Sequence, residues 1–352
     1  MPKENVKRYI LAGLVAIVLL IGLYYPLPFY ISQPGEAMEL APIIKVENSK
    51  QEKGTFMLTT VRMGGANFFN YSLAKLDDYM EIIPKEMILG HYKDEEHYSR
   101  RQLQVMQSSQ DTAIYVSYKL AGKKIKLKDE GIMVTQTVEG MPADGKLQIG
   151  DIITKVDGQK VSTSEELIRF IMKKQQGEQI QISFLRNDRE ETIPLTLTSF
   201  PLTDDEKKEG KEERFGIGIS TLTKRVLENI DPPIEIRTKN IGGPSAGLMF
   251  TLEIYNQLID QDITKGYRIA GTGTINLEGN VGRIGGIHQK VVAAHEADAD
   301  IFFAPNENGA DKSNYKVALS AAKDIGTEMK IVPVDHVQDA LDYLESMPPK
   351  SK

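Results

Sequence analysis

The residues best suited to chemistry are a serine and a lysine, each placed after glycines. Ser245 stands in Gly242-Gly243-Pro244-Ser245-Ala246-Gly247, and Lys290 follows Gly285-Gly286. Apolar runs after each predict two helices, the first over residues 245–259 and the second over 287–297. A serine attacks a carbonyl only when a base takes its proton. A lysine amine can be that base when burial among apolar side chains lowers its pKa. The pattern therefore predicts a Ser-Lys hydrolase.

Residues 241–308 resemble the proteolytic domain of Lon-type serine peptidases. The resemblance lies in Gly-Pro-Ser-Ala-Gly around Ser245, in Gly-Thr-Gly-Thr-Ile-Asn-Leu-Glu-Gly-Asn-Val at 271–281, and in Ile-Gly-Gly leading to Lys290. Residues 303–308 resemble the end of the next strand. The resemblance implies Ser245 as nucleophile, Lys290 as base and Thr272 as hydrogen-bond partner of the lysine. This sequence departs from the family pattern at Gly242, where Lon peptidases commonly carry an aspartate.

The resemblance also implies how a substrate binds. The strand before the nucleophile, which contains Ile236, would pair with an extended peptide, and Gly243 and Pro244 would lie beside it. Substrates would therefore be unfolded or flexible protein segments. No cofactor is expected, and no histidine pair has the His-Glu-x-x-His spacing of a zinc peptidase, so no metal is expected either.

Residues 121–200 resemble a bacterial PDZ domain in the order of their short strands, turns and one amphipathic helix. PDZ domains bind a peptide as an added strand along a sheet edge. By resemblance, that edge would consist of Gly131, Ile132, Met133 and Val134, and Leu167 and Ile171 would line the groove. The alternative is that these apolar residues are core. Residues 140–147 nearly spell a phosphate-binding loop, but Leu147 replaces the required Ser or Thr, so a turn is predicted.

The N-terminal region predicts a membrane anchor. Residues 9–25 are uncharged, and a spanning helix needs about 20 residues with a lower limit near 17. Lys3, Lys7 and Arg8 precede the apolar run, which places residues 1–8 in the cytoplasm and the rest outside. The alternative is a cleaved signal peptide with its site at Gly35-Glu36-Ala37. The bilayer is thus an expected partner.

The expected fold class is α+β, in a chain of 352 residues. A transmembrane helix over 9–30 precedes a segment 31–120 whose strand at 55–63 could join the protease sheet. The PDZ domain, a charged linker at 201–214 and the Lon-like domain at 215–348 follow. The net charge of −6 argues against nucleic acid as a partner, and the absence of cysteine excludes disulfides.

Taken together, the chain resembles the membrane-anchored PDZ–Lon-like peptidases of Gram-positive bacteria. The predicted function is an ATP-independent serine endopeptidase that faces outward and cleaves exported peptides or membrane proteins. Three alternatives remain. One is a catalytically silent PDZ scaffold, favoured only by Gly242. Another is an α/β-hydrolase that uses Asp335 and His336. The third is that Ser245 merely caps a helix. Lon domains often form rings, so a homo-oligomer stays open.

Overall fold

The computed structural model describes residues 3–89, 95–200, 214–238 and 241–351. The charge-rich part of the predicted linker, residues 204–213, lies outside the described residues. The nine α-helices of the described ranges are α1 Lys3–Tyr24, α2 Phe68–Ala74, α3 Lys85–Leu89, α4 Glu95–Leu120, α5 Ser164–Ile171, α6 Gly247–Leu258, α7 Ile287–Glu296, α8 Asn314–Asp324 and α9 Val337–Ser346.

Eighteen strands occur in the same ranges, most of them in two six-stranded sheets. They are β1 Phe29–Glu39, β2 Ile44–Val46, β3 Thr55–Gly65, β4 Glu81–Pro84, β5 Lys126–Thr137, β6 Ile152–Val156, β7 Gln159–Lys160, β8 Gln179–Arg186, β9 Arg189–Thr196, β10 Thr198–Ser199, β11 Phe215–Gly216, β12 Ile219–Glu228, β13 Ile234–Ile236, β14 Arg268–Gly271, β15 Thr274–Ile275, β16 Val281–Gly282, β17 Ile301–Pro305 and β18 Lys330–Val334.

The sheet that carries the serine and lysine helices has the order β18-β17-β14-β3-β1-β4. Its parallel strand β17 is apolar and buried along its whole length, as expected for a strand covered on both faces. Alternate residues of β17 enter different cores. Phe303 packs with side chains of α4, α6 and α9, and Phe302 packs with side chains of α7 and α8. Strands β1 and β3 place the N-terminal segment inside this domain.

The N-terminal helix ends six residues before the end of the anchor predicted over residues 9–30. Helix α1 ends at Tyr24, and Phe29 and Tyr30 begin strand β1, between β3 and β4 in the sheet. Tyr30 pairs with Gly65 on one side and with Ile83 on the other. Across the parts of the chain that the structure describes, no helix combines the length and the apolar character needed to cross a membrane. The predicted anchor has no support here.

The second large sheet has the order β12-β5-β6-β8-β9, with β7 beside β6 and helix α5 packed against it. Its core contains Ile132, Val134, Leu167 and Phe184. Ile132 pairs with Ile153 of β6 and with Thr223 of β12, so β5 is an interior strand. The edge predicted at Gly131, Ile132, Met133 and Val134 is therefore wrong. The edge strands at the two ends of this order are β9 and β12, and β12 lies within the range predicted for the protease domain.

A buried ion pair holds this second sheet together. Asp151 is 2% exposed and accepts hydrogen bonds from Arg186 Nε at 2.8 Å and from Arg186 Nη2 at 2.6 Å. We expect Arg186→Met to lower the free energy of unfolding of this domain by about 3 kcal/mol or more, because it leaves a buried carboxylate unpaired.

Amide hydrogen exchange of the β8 strand measures this loss. The matched control is Glu190→Gln, which breaks the exposed pair between Glu190 and Lys155, 2.7 Å apart. It should cost less than about 1 kcal/mol. Equal effects of the two substitutions would contradict the assignment.

Candidate active site

Ser245 lies in the turn just before helix α6. The helix begins at Gly247, two residues later than predicted, and its N-cap is Ala246, which makes no side-chain capping bond. The hydroxyl of Ser245 is therefore not used as a cap. Gly247 must lack a side chain, because a Cβ there would lie 2.9 Å from Ser109 Oγ and 2.9 Å from Ile275 Cγ2. Close packing of α4 and β15 against the turn fixes the position of the serine.

The carbonyl of Ser245 is held from the next strand. It accepts a hydrogen bond from Thr272 Oγ1 at 3.0 Å and one from the amide of Gly273 at 2.8 Å. Gly273 has φ +155°, a backbone conformation that favours glycine. Thr272 and Gly273 of the Gly-Thr-Gly-Thr run therefore hold the backbone carbonyl of Ser245 in place.

Lys290 reaches the serine from helix α7. The N-cap of this helix is Gly286, which has φ +65° and approaches β3 so closely that a Cβ would lie 2.7 Å from Val61 Cγ1. Lys290 is only 3% exposed. Its Nζ lies 2.9 Å from Ser245 Oγ, 3.1 Å from Thr272 Oγ1 and 2.9 Å from the carbonyl oxygen of Thr59. The structure thus brings together Ser245, Lys290 and Thr272.

These three contacts define where the protons can be. A carbonyl only accepts, so Thr59 O takes one N–H of the amine. The Thr272 hydroxyl already donates to the Ser245 carbonyl, so its oxygen takes a second N–H. A neutral amine has two N–H groups and one lone pair. The lone pair is then left facing Ser245 Oγ, which is the arrangement a general base requires.

Burial also favours the neutral amine. It lowers the pKa of Lys290 from 10.5 to about 7, and the cause is the loss of water around the charged form. No carboxylate is among the three groups that contact Nζ. A substantial fraction of Lys290 is therefore neutral near pH 7, where an ordinary lysine is fully charged.

Two backbone amides near the hydroxyl are available to a ligand. Within the residues that the structure describes, nothing accepts a hydrogen bond from the amide of Ser245 or of Ala246. The amide of Gly243, in contrast, donates to Gln102 O at 2.9 Å. Free amides at the start of a helix suit a developing oxyanion.

The remaining residues predicted to contact substrate are divided between the two sheets. Pro244 is exposed next to Ser245, and Gly243 is buried against α4. Ile236 ends β13, where it pairs with Ile44 of β2. Gly131, Ile132, Met133 and Val134 lie in the other domain and do not contact the serine–lysine pair.

The geometry does not support the competing interpretation in which Ser245, Asp335 and His336 form the triad of an α/β-hydrolase. His336 caps helix α9 by accepting from the Gln338 amide, and its Nε2 lies 2.9 Å from Glu278 O. Both ring nitrogens are thus engaged away from Ser245, so the pair Asp335–His336 does not complete a triad.

Among the described residues, no group of three or more His, Asp or Glu side chains could hold a metal ion.

Sequence reasoning missed the parts of the site that come from the N-terminal half. These are the Thr59 carbonyl and helix α4, in which Gln102 and Ser109 contact the loop before the serine. A backbone carbonyl leaves no mark in the residue types. The polar face of α4 gives no sign of its partner.

Helix α4 explains why position 242 is glycine. A Cβ there would lie 2.7 Å from Gln102 Cβ. We expect Gly242→Asp to cost about 1–3 kcal/mol of stability by overpacking and to reduce cleavage, because it pushes α4 away from the serine loop. Urea unfolding and initial rates measure both effects. Adding Gln102→Gly should restore part of the loss, whereas an active, stable Gly242→Asp single variant would refute the clash.

Two family models match the chain. Residues 107–197 match the PDZ domain, and residues 235–345 match the C-terminal proteolytic domain of Lon protease. Lon protease 1 of Myxococcus xanthus is 33% identical over 133 residues, which is 37% of this chain and 15% of that protein. A probable periplasmic serine endoprotease, DegP-like, of Pseudomonas putida is 27% identical over 128 residues, or 34% of this chain and 27% of that protein.

A solved structure also matches. It is the PDZ domain of the SdrC-like protein from Listeria monocytogenes, with 30% identity, a TM-score of 0.23, and coverage of 27% of this chain and 92% of that one. The chain spans less than a third of the length of either curated relative. It carries a PDZ-like domain and a Lon-type protease domain in an α+β fold, and these matches support a serine protease.

Proposed function

We propose that this protein is an ATP-independent serine endopeptidase in which neutral Lys290 activates Ser245. The observation that carries the proposal is the 2.9 Å contact between Lys290 Nζ and Ser245 Oγ, made by an almost fully buried amine. The lysine takes the hydroxyl proton as Oγ attacks a peptide carbonyl, and the amides of Ser245 and Ala246 donate to the oxyanion. The lysine ammonium then protonates the leaving amine, and water hydrolyses the acyl-enzyme ester.

The PDZ-like domain would hold an extended segment of the same substrate. Its edge strand β12 has no strand on its outer side among the described residues, and the N-terminus of α5 is tied to β12 through Ser164 and Thr223. A peptide can add to such an edge through main-chain hydrogen bonds. Capture would thus occur on residues 219–228 and not on the strand predicted from the sequence.

The two domains would share one path for the peptide. A cleft of about 520 Å³ lies between them, lined by Leu222 and Arg225 of β12, by Ser109 of α4 and by Pro244, the residue before the nucleophile. Ser109 Oγ also donates to Pro244 O at 3.1 Å. A segment captured on β12 would enter the cleft beside Ser245, which suits limited cleavage of flexible chains.

An acylating serine probe tests the proposed chemistry. The wild type should be labelled at Ser245 and should cleave an unfolded protein without ATP. The variants Ser245→Ala and Lys290→Met should neither be labelled by the probe nor cleave the unfolded protein. A wild type that stays unlabelled would refute the peptidase and support the alternative of a silent PDZ scaffold.

Peptides of increasing length test the shared path. In the wild type KM should fall as the peptide becomes long enough to reach β12, with little change in kcat. Leu222→Arg should abolish that fall, and Lys224→Gln, at an exposed position of the same strand, should preserve it. A length dependence that survives Leu222→Arg would contradict the path.

Membrane attachment is a separate proposal that rests on the sequence. Uncharged residues 9–25 follow Lys3, Lys7 and Arg8, which favours a cytoplasmic N-terminus and an external protease. Cells that express the full chain should retain it in alkali-washed membranes, and protease added to intact spheroplasts should digest it. Release into the alkaline wash would contradict this location.

A further inference from the structure

Helix α2 exposes an unusual number of large apolar side chains for its length. Phe69 is 59% exposed, and Leu76, just beyond the helix, is 85% exposed. Tyr24, Tyr25, Phe68 and Leu73 are exposed as well, and the group is here named the apolar platform: Tyr24, Tyr25, Phe68, Phe69, Leu73 and Leu76. Grouped exposed apolar side chains of this kind mark a surface that contacts something other than water.

The platform is fixed to the end of helix α1. The rings of Tyr25 and Phe68 stack with centroids 6.0 Å apart, and Asn67 Nδ2 donates to Leu23 O at 2.9 Å. Asn67 is also the N-cap of α2, where it forms a capping box with Asn70. Helix α2 therefore cannot turn its apolar face away without breaking either its own cap or its hydrogen bond to α1.

Helix α1 indicates what covers the platform. Its exposed apolar side chains include Tyr9, Ile10, Leu11, Leu14, Val15, Ile17, Leu20, Ile21 and Leu23. At 100° per residue these positions point to every side of the helix. A second protein copy would cover one side, whereas a helix that is apolar all round suits a continuous apolar medium. The platform continues this surface from the end of α1 onto the protease domain.

We propose that the apolar platform lies in the interfacial region of a lipid bilayer, with Phe69, Leu73 and Leu76 at the boundary between headgroups and acyl chains. Aromatic and leucine side chains are favoured at that depth. This contact would fix the orientation of the protease domain relative to the membrane. Because β1 follows α1 directly and pairs with β3, which carries Thr59, lipid contact at α2 would hold the protease sheet at a fixed tilt to the membrane.

The chain contains no tryptophan, so a single introduced Trp reports on one position. Full-length chain with Ser245→Ala is reconstituted in vesicles of neutral or mixed anionic phospholipid, and each preparation carries one of four substitutions. Phe69→Trp and Leu76→Trp probe the platform. Leu14→Trp probes α1, and Leu319→Trp on α8 is the control at an exposed leucine outside the platform. Phospholipids brominated near the headgroup or near the end of the acyl chain then quench the Trp fluorescence according to the depth of the Trp in the bilayer.

We expect lipids brominated near the headgroup to at least halve the emission of Phe69→Trp and Leu76→Trp, and to leave Leu319→Trp unchanged. Platform reporters quenched no more than Leu319→Trp would overturn the proposal, even if Leu14→Trp were quenched. Emission that depends on protein concentration but not on brominated lipid would also overturn it, in favour of a second copy. The catalytic serine is absent throughout, so this result is independent of the proposed peptidase activity.

Discussion

Replacing Lys290 with methionine is expected to lower kcat/KM by at least about 10³-fold, because it removes the amine that lies 2.9 Å from Ser245 Oγ and can accept its proton. Methionine has a similar length and is apolar, so it fits a position that is almost completely buried. It removes the hydrogen bond from Lys290 to the Thr59 carbonyl, a cost of about 1–3 kcal/mol. It also removes the cost of burying an amine, so the fold should survive.

The comparison that identifies a dyad is the double variant. Ser245→Ala should be as slow as Lys290→Met, and the variant with both changes should be no slower than either alone, because the two groups act as one unit. Lys323→Met, at an exposed lysine of α8, serves as the matched control and should keep full activity. Initial rates on one unfolded protein measure all four. Additive losses would show that the two residues contribute separately.

Local sequence is sufficient to predict that Ser245, Thr272 and Lys290 act together as a site, and the structure places them in contact, because each lies in a short motif with a strong backbone requirement. A Cβ at Gly247 or at Gly286 would meet a neighbouring side chain at less than 3 Å, and these glycines lie close to Ser245 and Lys290 in sequence. Such constraints can be recognised in the sequence, because they require glycine at these positions. The acceptor for the first N–H of Lys290 is a backbone carbonyl of β3, and any residue could supply it.

The domain boundary is harder to predict, because alternation identifies a strand but not its partner. Strand β12 follows a charged stretch and precedes the serine motif, so its place in the sequence favours the protease domain. In the structure it pairs with β5 from Lys126 to Thr137 and completes the PDZ-like sheet. The same limit applies at the N-terminus, where Phe29 and Tyr30 continue an apolar run in sequence but pair with β3 and β4 in space.

Cleavage should depend on pH in the direction set by the pKa of Lys290. Only the neutral amine accepts a proton, and its pKa is lowered to about 7 by burial. We therefore expect kcat/KM to rise about tenfold per pH unit below pH 7 and to level off above it. An unperturbed lysine would instead give rates that rise up to about pH 10. A flat profile between pH 5 and 8 would argue against lysine as the base.

The same pKa shift predicts how stability depends on pH, and this check needs no substrate. Between about pH 7 and about pH 10.4 the unfolded chain binds a proton at Lys290 that the native chain does not, so the free energy of unfolding should rise with pH. Across this window the gain is about 5 kcal/mol at most. Lys290→Met lacks the titrating group and should have a flatter stability profile, most different from the wild type at and below pH 7. Parallel profiles would mean that Lys290 is charged in the native state, and neutral-lysine catalysis would then fail at its first step.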